Sequence, residues 1–135
     1  MSGIKLHIGV DVLGLPHTIM VTTANVTDRS GAIHMVDYYC NVTDRLSRVK
    51  KILADGGYTG ENFASAIKDL SGAQVEIVKR NELHSFAVLP KRWIVERSFA
   101  WLDKCRRLWK NCERKLQHSF QMFSLAFIRL LLNRY

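Results

Sequence analysis

"ILADGGYTGENFASAIKDLSGAQVEIV", residues 52–78, changes its hydrophobic period twice. The apolar run Ile52–Ala54 closes on Asp55, Gly56 and Gly57, so residues 50–55 read as a short buried strand. Thr59 through Leu70 carries a capping residue, apolar positions at helical spacing (Phe63, Ala66, Ile67, Leu70) and a terminating Gly72, which predicts a helix. "AQVEIVKR" then alternates as a strand does.

Upstream, "IKLHIGVDVL" and "HTIMVTTANV" are rich in Ile, Val and Thr and are separated by the turn residues Gly14-Leu15-Pro16. Lys5, His7 and Gly9 alternate with Leu6, Ile8 and Val10, which predicts a β-hairpin. Thr27 or Asp28 is placed to cap a short helix in "TDRSGAIHMVDYYC". Downstream of Lys91, Val95, Phe99, Leu102, Cys105, Leu108 or Trp109, Cys112 and Leu116 recur at helical spacing with nothing to break the helix, and a further helical segment carries Phe120, Phe123, Phe127 and Leu130. A hairpin followed by alternating strands and helices implies a mixed α/β sheet in a single domain, residues 1–135.

The chain has 135 residues, 47% of them hydrophobic and 24% charged, which is the composition of one globular domain rather than a disordered segment. Its formal charge of +8 favours polyanionic partners, nucleic acid first and a membrane surface second. No signal-peptide pattern is visible and no apolar run reaches the length of a spanning helix. Three cysteines, Cys40, Cys105 and Cys112, do not suggest a disulfide framework. Cys105 and Cys112 match no compact zinc spacing. The repeated "NVTDR" at 25–29 and 41–45 is too short to mark a structural repeat.

Two carboxylates stand out. Asp55 falls at the carboxyl end of its strand, where ligands of α/β sheets gather, and the glycines after it clear space for a nucleic-acid backbone or a hydrated cation. The alternative is an Asp that only caps a turn. Glu96 lies in "RWIVER"; on one continuous helix Arg92, Glu96, Asp103, Arg107 and Lys110 would share a line along its surface. The alternative is an ordinary Arg92–Glu96 pair on a solvated face. Residues 91–115 hold nine Lys/Arg against three acidic residues, interleaved with Trp93, Trp101 and Trp109, which suits a DNA backbone; core tryptophans beneath a solvated basic face are the simpler alternative.

"HIGVDVLGLPHTIMVTTANVTDRSGA", "ILADGGYTGENF", "VEIVKR" and "FAVLPKRWIVERSFAWLDKCRRL" together resemble the C-terminal catalytic portion of DDE transposases of the bacterial IS5/IS4-type insertion sequences. The resemblance runs through almost the whole chain. It implies a ribonuclease-H-like fold and phosphoryl transfer at DNA ends with two Mg²⁺ or Mn²⁺ ions. Asp55 then corresponds to the second acidic residue of the triad and Glu96 to the third, as catalytic metal ligands. Arg92 matches the basic residue one turn before the Glu, while Tyr58 and the region of Lys104, Arg106, Arg107 and Lys110 would face DNA.

The first Asp of such a triad comes from a strand preceding the hairpin, where this chain has only Met-Ser-Gly. Asp11 does not align with it and is expected to serve a local turn or ion pair. The expectation is therefore a truncated or split transposase, with a second copy or a separately encoded N-terminal part as partner besides insertion-sequence ends and target DNA. A catalytically inactive DNA-binding remnant is the alternative. Either would be a bacterial cytoplasmic, nucleoid-associated protein, not a membrane protein.

Overall fold

A computed structural model describes residues 3–43, 46–78, 92–105 and 114–133. The protein is α/β, in the order β1 (Ile4–Val10), β2 (Pro16–Thr23), α1 (Asp28–Asn41), β3 (Lys51–Asp55), α2 (Glu61–Ser71), β4 (Gln74–Val78), α3 (Arg92–Asp103) and α4 (Leu116–Leu132). Among the described residues the strands form two two-stranded sheets. The chain divides into two compact units, one of residues 1–26 and 93–135 and the other of residues 27–92.

In the first unit β1 and β2 pair antiparallel, Ile4 opposite Thr23 and Ile8 opposite Ile19. The turn between them depends on Asp11, whose Oδ1 accepts from the backbone N–H of Leu13 at 2.9 Å and of Leu15 at 3.0 Å, while Oδ2 meets His17 Nε2 at 2.9 Å. Burial alone would raise the Asp11 pKa. The His17 contact and the two backbone donors outweigh it, so the carboxyl lies below its ordinary value. The local turn and ion-pair role expected of Asp11 is what it performs. Gly14 completes the turn at φ 80°, the left-handed region that favours glycine.

One face of this hairpin packs Ile19 and Val21 against Leu102 of α3 and Phe123 and Phe127 of α4, with Ile4, Leu6 and Ile8 at the margin. The other face is partly buried and carries several polar residues. His7, Thr18 and Thr22 are all buried, and His7 Nε2 lies 2.9 Å from Thr22 Oγ1, which satisfies both groups.

The second unit is a helix α1 followed by a β-α-β unit. Thr27, extended at φ −69° and ψ 153°, caps α1 by accepting from the Ser30 N–H at 3.2 Å. Strands β3 and β4 pair in parallel, Lys51 opposite Gln74 through Asp55 opposite Val78. Helix α2 makes the crossover and buries Phe63 and Ile67, while α1, which packs against it, buries Met35, Val36 and Tyr39. Gly72 ends α2 in the left-handed conformation, as its position predicts.

Four sequence expectations need correction. β3 is only partly buried, because its two-stranded sheet leaves both ends of the strand exposed. Helix α2 is capped at Gly60, not Thr59, with no side-chain cap bond. The helix from Lys91 does not run unbroken to Leu116. It ends at Asp103, where an acidic residue and no basic one occupies the last turn, the unfavourable choice for a helix dipole, and the Cys105 N–H turns back to the Leu102 carbonyl at 2.9 Å. Finally, α3 turns Ile94, Ser98 and Leu102 inward, leaving Val95 and Phe99 more than a third exposed.

Candidate active site

Asp55 is the last residue of β3 and the last to pair with β4, opposite Val78. Its backbone stays extended at φ −79° and ψ 178°, and its Oδ1 accepts from the Gly57 N–H at 3.0 Å, closing a single 3-10 turn over Gly56–Tyr58. The carboxylate is exposed, and among the described residues no hydrogen bond occupies its second oxygen. Asp55 therefore does cap a turn, and it does so with one oxygen, leaving the other open.

The glycines are informative here. Neither Gly56 nor Gly57 adopts a positive φ, so the backbone does not require them. A Cβ on Gly56 would meet nothing within 4 Å, whereas one on Gly57 would lie 3.2 Å from Asp55 Oδ1. Gly56 thus faces open space, and nothing in the folded unit calls for its lack of a side chain. If the space serves a ligand, Gly56→Ala will leave stability unchanged or raise it by up to about 1 kcal/mol, through the lower entropy of the unfolded chain. It will at the same time weaken divalent-ion or DNA binding. Equal stability and equal binding, measured by thermal melts and Mn²⁺ titration, would remove the ligand from the explanation.

Tyr58 sits half-buried at the end of the 3-10 turn, its ring 5.4 Å from that of Phe63. Burial first, then the carboxylates of Asp28 and Asp55, push its pKa above the ordinary tyrosine value. The phenol consequently remains a neutral O–H at physiological pH. Arg29, which the sequence reading passed over, reaches this turn from the first turn of α1, its Nε donating to the Gly57 carbonyl at 3.1 Å. A cation at the positive end of a helix dipole was the available signal.

Glu96 is exposed on α3. The two residues after it fasten the helix to the hairpin turn: Arg97 Nη2 donates to the Leu13 carbonyl at 2.8 Å, and Ser98 Oγ donates to the Gly14 carbonyl at 3.1 Å. The Arg97 guanidinium also stacks 4.7 Å from the centroid of the Trp101 ring, a cation–π contact. Trp101, read as either a core residue or part of a DNA-facing surface, is half-buried. Arg92 is the first residue of α3, and Lys104 is exposed in the turn after it. Arg106, Arg107, Lys110, Trp109 and Cys112 lie outside the described residues, as do the side chains of Arg92 and Trp93.

Asp55 belongs to one unit and Glu96 to the other. Among the described residues no group of three or more His, Cys, Asp or Glu side chains that could hold a metal ion is gathered. Hard divalent ions such as Mg²⁺ take one or two carboxylates and keep several waters, and the open oxygen of Asp55 beside the empty space at Gly56 fits that demand.

An α/β chain with an exposed carboxylate at a strand end and a second on a C-terminal helix matches the family model described as "Transposase DDE domain" over residues 1–131, and the chain belongs to that family. It is 34% identical over 117 residues to a Burkholderia cepacia protein described as "Putative transposase for insertion sequence element IS402"; the match takes in 84% of this chain and 55% of the relative. The chain thus spans about half the length of that relative. No solved structure matches it. No helix among the described residues is long and apolar enough to cross a membrane.

Proposed function

We propose that this chain is catalytic-domain sequence of a DNA transposase that cleaves and rejoins phosphodiesters at insertion-sequence ends, with Asp55 and Glu96 as its metal-holding carboxylates. The observation that carries the reading is Asp55 itself, exposed at a strand end with an open oxygen next to a glycine that neither backbone nor packing requires. Family membership supports it. The accompanying fold reading is a ribonuclease-H-like mixed sheet with flanking helices.

In this reading the carboxylates of Asp55 and Glu96 each donate oxygen to Mg²⁺ or Mn²⁺. Such ions, when bound, activate the attacking oxygen and stabilise the leaving one. The chain's own cations do the remaining work on DNA: Arg92, Lys104, Arg106, Arg107 and Lys110 neutralise backbone phosphates and fix the register of the duplex without reading bases. Tyr58, kept protonated by its surroundings, offers a hydrogen-bond donor beside Asp55 without adding negative charge near phosphate. The test is Mn²⁺ titration of the chain and of its Asp55→Asn and Glu96→Gln variants, with folding of each checked by circular dichroism. Unaltered affinity in both variants would refute the assignment.

A further inference from the structure

Gly57 is held from both sides: its N–H is taken by the Asp55 carboxylate at 3.0 Å and its carbonyl by Arg29 Nε at 3.1 Å. An acid and a guanidinium are therefore fixed around one peptide residue without forming an ion pair with each other. Among the described residues Nη1 and Nη2 of Arg29 have no hydrogen-bond or ion-pair partner, although Asp55 shares Gly57 with it.

An exposed arginine that only neutralised local charge would be expected to fold onto the Asp55 carboxylate, whose second oxygen is open. Arg29 instead spends its Nε on a carbonyl, which fixes the plane of the guanidinium and leaves the outer edge of its fork available. That edge is the part that matches two oxygens of a phosphate.

We infer that Arg29 binds a phosphodiester of the DNA strand and holds it against the turn that carries Asp55. The inference rests on the reading of Asp55 as a metal-holding carboxylate in a DNA-processing site. The two tasks are complementary, because the carboxylate would hold a cation while the guanidinium holds the anionic group that the cation must meet. Gly57 keeps the two at a set spacing. Lysine could supply the charge at position 29 but not the two-pronged geometry.

The test uses the full chain and a short duplex DNA, with Ca²⁺ present so that binding is measured without cleavage. Affinity is followed against salt concentration for the wild type, Arg29→Gln and Arg29→Lys. Removing one phosphate contact should lower the slope of log affinity against log salt by about 0.9. Arg29→Gln is expected to show that loss together with roughly tenfold weaker binding at low salt. Arg29→Lys should keep the slope but only part of the affinity.

A tether that merely joins α1 to the turn would lower the melting temperature in both variants and leave the slope alone, and that outcome overturns the inference. Absence of DNA binding by the wild type overturns it as well. Asp55→Asn, measured in parallel for Mn²⁺ affinity, separates the two readings: intact metal binding there counts against the proposed site, while an unchanged slope in Arg29→Gln counts against Arg29 alone.

Discussion

Asp55→Asn and Glu96→Gln will each weaken Mn²⁺ binding by about 100-fold, and the double variant will bind no specific ion. Even residues that only support a metal ligand typically cost ~10–100-fold when changed, so loss of the ligand itself belongs at the upper end of that range. Both substitutions preserve size and remove only the charge. Because both carboxylates are exposed, neither change should disturb packing. Asp55→Asn retains an oxygen that can still accept from the Gly57 N–H, so the 3-10 turn should survive with its metal affinity gone. Melting temperatures matching the wild type, together with lost Mn²⁺ affinity, would separate a ligand from a structural cap. Lost stability with retained affinity would reverse that conclusion for either residue.

Phe127→Ala will destabilise the unit formed by the hairpin, α3 and α4 by about 3–5 kcal/mol, a large part of the ~5–15 kcal/mol that stabilises an ordinary domain. Phe127 is 5% exposed and belongs to the cluster with Ile19, Val21, Leu102 and Phe123, where a truncated ring leaves a cavity that its neighbours cannot readily close. Leu125, two residues away on the same helix and 59% exposed, is the internal comparison. Its alanine variant should change stability by no more than about 0.5 kcal/mol. Urea unfolding followed by tryptophan fluorescence provides the comparison. Similar midpoints for the two variants would mean that α4 does not pack as described.

The local chemistry of turns and caps was the most legible part of the sequence. Gly-Leu-Pro located the hairpin turn, the pair Thr27-Asp28 the start of α1 and Gly72 the end of α2, because each depends on residues adjacent in sequence. Asp55 was legible for the same reason: a carboxylate closing an apolar run before two glycines can be read from one short stretch. The inward face of α3 was not. Apolar spacing selected Val95, Phe99 and Leu102, whereas Ser98 is fully buried beside Ile94. A serine is acceptable there because its hydroxyl donates to the Gly14 carbonyl, 84 positions away in sequence, and lies 3.2 Å from the Ile94 carbonyl.

The buried His7–Thr22 pair escaped notice for a similar reason, since alternation alone assigns a polar strand face to solvent. The end of α3 was misread because no glycine or proline marks it. Arg29 carried a weak local signal, a cation at the wrong end of a helix, and its meaning depends on a carbonyl 28 positions along the chain. Membership in the DDE family, matched over residues 1–131, was legible because the stretches that carry the resemblance are contiguous in sequence and can be read without knowledge of packing.

Iron-directed cleavage decides whether Asp55 and Glu96 hold the metal ion proposed for them. Fe²⁺ substituted for Mg²⁺ in the presence of ascorbate and peroxide generates radicals that cut the polypeptide close to the ion. If both carboxylates are metal ligands, two sets of fragments form, one ending near Asp55 and one near Glu96, both suppressed by excess Mg²⁺, the first lost in Asp55→Asn and the second in Glu96→Gln. Cuts confined to one of the two segments, or cuts that persist when the carboxylate beside them is changed, would contradict the assignment.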